Sequence, residues 1–281
     1  MNKLLVFQTD FGLDDGAISA MEGVAYCVDQ NLNIRHLTHN IPQYNIFDAS
    51  YRLYQAISYW PEETTFVSVV DPGVGSNRKS VVARTSSNQY IITPDNGTLT
   101  HIKQFVGIEE VREIDEHVNR LRNSELSYTF HGRDVYAYTG ARLASDTISF
   151  AQVGPKYDID KIVELELFGC KRIENGVMGQ IDILDVRFGS LWTSIPYEDF
   201  KNCGFRIGDD VQVDIYHNDV LVYSHCINYG KSFADVALHE PLIYMNSAYD
   251  MAVAINQDSF SRVYGIGVGK DWKITMRRVQ Q

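Results

Sequence analysis

Three short stretches carry residue types able to activate a small nucleophile. Gln8-Thr9-Asp10-Phe11-Gly12-Leu13-Asp14-Asp15 sets carboxylates directly after an apolar run. Asp71-Pro72-Gly73-Val74-Gly75-Ser76-Asn77-Arg78 places a carboxylate and a guanidinium at the two ends of a loop that Pro and two glycines keep tight. Phe130-His131-Gly132-Arg133-Asp134 puts an imidazole at a loop-to-helix junction. Asp71 and Arg78 could pair and hold an ionised carboxylate in a site, and three loops carrying Asp, Asp with Arg, and His converge if their strand ends share one rim. Each stretch also has a plainer reading. Asp14 and Asp15 suit a helix start, Asp71 and Arg78 suit a surface ion pair, and a single histidine is often structural. A fourth stretch, Asp185-Val186-Arg187-Phe188-Gly189-Ser190-Leu191-Trp192-Thr193, offers Phe188 and Trp192 as a wall for a purine and Asp185 for a charged group. It reads equally as a core strand around a bulge.

The elements that must position these residues change character midway along the chain. The runs 4–9, 33–39, 64–70 and 89–97 read as strands, and 16–28, 47–60 and 134–143 as helices. Alternation of this kind implies an α/β domain with a mostly parallel sheet flanked by helices. Such a sheet delivers its strand ends, and so Asp10, Asp71 and the His131 loop, to one rim. From Asn175-Gly176 onward, short strands and turn signals recur, including a hairpin over 211–227 with a three-residue turn at His217-Asn218-Asp219. This predicts a smaller all-β, barrel-like C-terminal domain and leaves His217 in solvent. The expected division is 1–155, a linker over 156–169, and 170–281. Gly265-Ile266-Gly267-Val268-Gly269 lacks a nucleotide-binding fingerprint and reads as a glycine-rich connection.

Composition narrows the partners. The chain has 281 residues, enough for two domains, and a net charge of −11, which argues against nucleic acid or an anionic membrane as partner. No apolar run reaches the ~18 residues of a membrane span. The opening MNKLLVFQTDFG meets Asp10 too soon for a secretory signal. A cytoplasmic protein is expected. Cys27, Cys170, Cys203 and Cys226 form no C-x-x-C pair, and reduced, buried thiols are expected.

Taken in order, TDFG (9–12), DPGVG-x-x-R (71–78), PDNG (94–97), FHGRD (130–134), FG-x-x-x-T (188–193) and NS (246–247) resemble the S-adenosylmethionine hydroxide adenosyltransferase family, across essentially the whole chain. The resemblance implies hydrolysis of S-adenosyl-L-methionine to adenosine and methionine, with no cofactor and no metal. It further implies a homotrimer with each site between the N-terminal domain of one subunit and the C-terminal domain of the next. By the same resemblance Asp71, Arg78 and His131 handle the water. Asp10 takes the ribose, Asp14 and Asp185 the methionine, Phe188 the adenine, and Ser247 the methionine end. Tyr44 and Asn256 fall near ribose and adenine by position. Halogenating relatives carry serine where this chain has Gly132 and tyrosine where it has Asp71, and both differences favour water over halide. Ser190 stands where the family usually has asparagine, beside the adenine, and Ala248-Tyr249 replaces the usual small-residue–glycine pair.

Two other readings compete. Metal-dependent nucleoside hydrolases open with D-x-D-x-G-x-D-D, which residues 8–15 approach, although Gln8 replaces the first ligand. A non-catalytic binder of adenosine or S-adenosylmethionine could use the same acidic and aromatic groups, but it has no need of Asp71, Arg78 and His131 together.

Overall fold

The computed structural model describes residues 3–279 and divides the chain into two compact units, the first ending at Leu165 and the second beginning at Glu166. The first is built on a seven-stranded sheet. Its strands are β1 (Leu4–Thr9), β2 (Asn33–Thr38), β3 (Thr65–Val69), β4 (Ser80–Thr85), β5 (Tyr90–Pro94), β6 (Ile108–Glu113) and β7 (Lys156–Tyr157), in the order β2-β1-β3-β5-β4-β6-β7. Helices α1 (Ala17–Val28) and α2 (Ile46–Ile57) cover opposite faces. Alternation along β1 explains this. Leu5 and Phe7 pack with Met21 and Ala25 of α1 and with Ala141 of α3 (Tyr138–Ala144), whereas Val6 packs with Leu53 and Ile57 of α2.

The sheet is mixed, not mostly parallel. Pairs β1–β2, β1–β3 and β3–β5 are parallel, whereas β4–β5, β4–β6 and β6–β7 are antiparallel. Sequence reading passed over β4 and β6. Only Ser86-Ser87-Asn88-Gln89 separates β4 from β5, too short for a parallel crossover, so β4 must turn back as a hairpin. Asn88 takes a left-handed φ of 56° to make that turn. The parallel half is the part that matters for the site. The chain leaves β1 to one side for β2, then crosses back to the other side for β3, so the β1/β3 crevice is a topological switch point.

Residues 156–165, within the expected linker, belong to the first unit. Tyr157 donates its hydroxyl to Asp95 at 3.0 Å and the Val163 amide donates to the same carboxylate at 2.9 Å.

The second unit is a closed barrel of seven strands. They are β9 (Gly176–Leu184), β10 (Leu191–Pro196), β11 (Asp210–His217), β12 (Val220–Tyr229), β13 (Pro241–Met245), β14 (Asp250–Ile255) and β15 (Trp272–Arg278), and the pairing of β9 with β10 completes the circle. A short β8 (Lys171–Ile173) extends β9. Ile181, Leu191, Val213, Ile215, Val253 and Ile274 belong to the buried core of this unit. The hairpin between β11 and β12 has a two-residue turn rather than three. Asn218 and Asp219 both have positive φ, 50° and 63°, as the primed turn requires, and His217 pairs with Val220. His217 is therefore inside the ladder, stacked on Trp272 at 4.2 Å. The expectation of buried thiols also fails: Cys27 and Cys226 are exposed, and Cys170 and Cys203 are half-buried. Among the described residues, no helix is long and apolar enough to cross a membrane.

Candidate active site

The first unit carries a cleft of about 610 Å³ at the carboxyl ends of β1 and β3, lined by Asp10, Phe11, Tyr44, Val69, Asp71, Phe130 and His131 among others. Asp10 and Asp71 reach it because the two strands are neighbours in parallel register, Thr9 opposite Val69. Buried Gln8 fixes that register, donating to Ser68 Oγ at 2.9 Å and to the Ala49 carbonyl at 2.8 Å. The PDNG turn braces β3 from the other side. Asn96 donates its amide to the Val70 carbonyl, one residue before Asp71, at 2.8 Å.

Asp71 and Arg78 form a two-pronged ion pair. Arg78 Nε donates to Oδ1 at 2.9 Å and Nη2 to Oδ2 at 2.5 Å. With side chains only 5% and 10% exposed, this is a buried pair and not the surface contact the loop sequence also allowed. Arg78 Nη2 also donates to His131 Nδ1 at 3.0 Å. Since a guanidinium can only donate, Nδ1 must be the acceptor, and the imidazole proton sits on Nε2. Nε2 is enclosed by protein and has no hydrogen-bond partner among the described residues. Burial pushes the His131 pKa below its ordinary value. The charge of Glu116 opposes that shift and the charge of Arg78 adds to it. Arg78 is secured further by Ser80, whose hydroxyl accepts from Nη1 at 2.9 Å and meets the Tyr136 hydroxyl at 3.2 Å. Burial works against the Arg78 charge, but its hydrogen bonds to Asp71 prevail and its pKa lies above the ordinary value.

His131 enters from a different element. It opens the helical segment leading into α3, whose first stretch, Gly132–Ala137, is wound as a π-helix. Wide turns of this kind recur at functional sites. An added Cβ at Gly132 would crowd the Phe11 ring at 3.1 Å and the Phe130 ring at 3.3 Å, so a small residue fits there.

Asp10 accepts from the Tyr44 amide at 2.9 Å, and Tyr44 holds a left-handed φ of 66° to present it. Asp14 is exposed and does not line the cleft; Asp15 lines it and also accepts from the Ala17 amide at 2.8 Å, as a helix start requires. Phe11 and Phe130, which pack edge-to-face at 5.9 Å, were not singled out as site residues although both stand inside the motifs.

The second unit has its own pocket, about 880 Å³, lined by Asp185, Phe188, Ser190, Trp192, Tyr244, Ser247 and Asn256 among others. Thus every C-terminal residue expected at the site lines one concavity. Gly189, at φ 67°, closes the turn that presents Phe188; its amide donates to the Asp185 carbonyl at 2.7 Å. Asn246 accepts from the amides of Ala248 and Asp250 at 2.8 and 3.1 Å, which shapes the loop that carries Ser247. Asn256 donates its side-chain amide to the Val236 carbonyl at 3.0 Å. Tyr244, Phe233 and Arg262 also line the pocket and gave no signal beyond an ordinary strand, loop or helix.

Comparison with known families decides what these two sites belong to. Residues 5–154 match the SAM hydroxide adenosyltransferase N-terminal domain, and residues 179–273 match the C-terminal domain. The chain belongs to the SAM hydroxide adenosyltransferase family. Within this family, it is 32% identical over 223 residues to an (R)-S-adenosyl-L-methionine hydrolase of Methanocaldococcus jannaschii, covering 77% of this chain and 74% of that one. A hydrolase of the same description from Salinispora tropica is 28% identical over 96% of both chains. A fluorinase of Actinoplanes sp. is 24% identical over 98% of both. Among solved structures, an uncharacterized conserved protein from Thermotoga maritima superposes with TM-score 0.89 at 29% identity, covering 98% of this chain and all of that one. Among the described residues of this family member, no group of three or more His, Cys, Asp or Glu side chains is placed to hold a metal ion.

Proposed function

We propose that the protein hydrolyses S-adenosyl-L-methionine to adenosine and L-methionine by in-line attack of water on ribose C5′. The observation that carries this reading is the buried Asp71–Arg78–His131 chain at the β1/β3 crevice. The sulfonium is already a good leaving group, so activation is needed only on the water. Asp71 accepts a proton or hydrogen bond from that water, a role worth about 10²–10⁴ in rate. Arg78 occupies one side of each carboxylate oxygen and fixes the direction of the remaining lone pairs. His131 fixes Arg78. Holding water and sulfonium in line contributes up to ~7–11 kcal/mol.

In this reading Asp10 takes the ribose hydroxyls beside Tyr44. Phe188, Ser190 and Asn256 take the adenine, and Asp14, Asp185 and Ser247 the methionine. The first unit holds the proposed water site, the ribose carboxylate and Asp14, and the second the proposed aromatic wall with Asp185 and Ser247. A homotrimer that joins the N-terminal unit of one subunit to the C-terminal unit of the next completes each site. Four unpaired thiols fit a reducing, cytoplasmic setting.

The test is to incubate purified protein with S-adenosylmethionine, with and without chloride and chelator, and to identify the nucleoside released. Adenosine, formed equally in every mixture, is expected. Free adenine, a chlorinated nucleoside, or binding without turnover would contradict the assignment.

A further inference from the structure

A second chain of polar side chains runs beneath the Thr9–Gly12 loop, and the water-handling residues do not use it. It begins at the surface, where Glu22 of α1 meets His36 Nε2 at 2.9 Å. His36 Nδ1 meets His39 Nε2 at 2.7 Å. His39 Nδ1 meets Thr9 Oγ1 at 2.9 Å, and Thr9 Oγ1 accepts from the Phe11 amide at 3.2 Å. The His39 carbonyl accepts from the Gly12 amide at 2.8 Å. His39 and Thr9 are buried.

With both imidazoles neutral, donors and acceptors along this chain have only one consistent order. The carboxylate of Glu22 accepts, so His36 donates through Nε2 and accepts at Nδ1. His39 then donates through Nε2 and accepts at Nδ1, which leaves the Thr9 hydroxyl to donate. No donor faces a donor. Burial, and then the neighbouring His36, lower the His39 pKa to about 4, which keeps that ring neutral. His39 thus grips the loop twice, through its ring at Thr9 and through its carbonyl at Gly12. Between those two grips stands Asp10.

We propose that Glu22, His36 and His39 are positioning residues for the ribose subsite, acting through Thr9 and Gly12 to aim the Asp10 carboxylate. This rests on the reading of Asp10 as the ribose ligand. His39 touches no substrate; it sets the direction from which Asp10 meets the two hydroxyls. A misdirected carboxylate weakens recognition of the sugar more than it slows the attack at C5′.

The test compares S-adenosylmethionine with its 2′-deoxyribose counterpart in wild-type protein and in His39→Ala, His39→Asn, Glu22→Ala, Asp10→Ala and the Asp10→Ala/His39→Ala double variant. His39→Ala is expected to raise KM about tenfold, the equivalent of one misplaced hydrogen bond, with a smaller change in kcat. It should also narrow the preference for the ribose substrate. His39→Asn keeps an acceptor for Thr9 and should recover most of both. In the Asp10→Ala background, removal of His39 should add little. Full additivity of the two effects, or unchanged KM and sugar preference in His39→Ala, would overturn the relay. If His39→Ala fails to fold, Glu22→Ala decides, since its side chain lies at the surface end. There a two- to fivefold rise in KM, of order one weakened hydrogen bond, supports the relay, and no change overturns it. A sugar preference that survives Asp10→Ala overturns the ribose assignment itself, whereas a preference lost there but intact in the His39 and Glu22 variants overturns the relay alone.

Discussion

At the residue scale, the tautomer of His131 makes the chemistry sensitive to acid. Nδ1 must accept from Arg78, so only the neutral ring fits. Its pKa is lowered, chiefly by burial. Activity should therefore be full above that pKa and fall as pH drops through it, on the acid side of the ordinary 6.5. The expected wild-type profile of kcat/KM has an acid limb below pH 6.5, a limb that reports the free enzyme. In His131→Asn an amide oxygen takes the place of Nδ1 and cannot titrate, so the limb should shift. An identical limb in the variant would remove His131 from the linkage. Asp71, Arg78 and His131 were legible because each stands in a short motif, the first two in a loop between strands and the third at a loop-to-helix junction. Tyr136 and His39 were not, because their contacts with Ser80 and Thr9 join elements far apart in the chain, and Ser80 was missed with the strand it opens. That Asp15 lines the cleft of the first unit and Asp14 does not was also hidden. It depends on how α1 leaves the loop, and that is a backbone matter.

At the element scale, the turn at Gly189 tests the second pocket. A side chain there would be strained at φ 67° and would collide with the Ser259 hydroxyl, so the Asp185–Ser190 turn must shift. Gly189→Ala should cost about 1–3 kcal/mol of stability in thermal unfolding. It should also weaken binding of S-adenosylmethionine about tenfold by calorimetry, as Phe188 and Asp185 move. Unchanged affinity would separate this turn from ligand recognition. β1 and β3 were readable as short, largely apolar runs that end in turn signals, the pattern of strands buried on both faces. It did not reveal β4, where SVVART follows a glycine-rich loop, nor the antiparallel half of the sheet that β4 creates. Asn218 and Asp219 marked their turn correctly, but its length depended on φ angles that only the folded strands fix.

At the scale of the whole molecule, the change from alternating helices and strands to closely spaced strands placed two domains in the sequence. Barrel closure was not readable, since it requires β9 to pair with β10 and β12 to run parallel to β13. Assembly yields a complementation test. Asp71→Asn and Phe188→Ala each disable a different half of the proposed shared site. If sites form between subunits, co-assembly of the two inactive chains in equal amounts should restore about a quarter of wild-type activity, from mixed trimers in random association. If each site lies within one chain, no activity should return.

The central claim is that Asp71 acts on the water rather than on the substrate. The most direct measurement is the Asp71→Asn variant, with single-turnover hydrolysis and calorimetric binding of S-adenosylmethionine followed on the same preparation. The expected result is adenosine formation slowed about 10²–10⁴-fold with affinity nearly unchanged. Turnover at the wild-type rate, or a loss of affinity that accounts for the whole loss of activity, would contradict it.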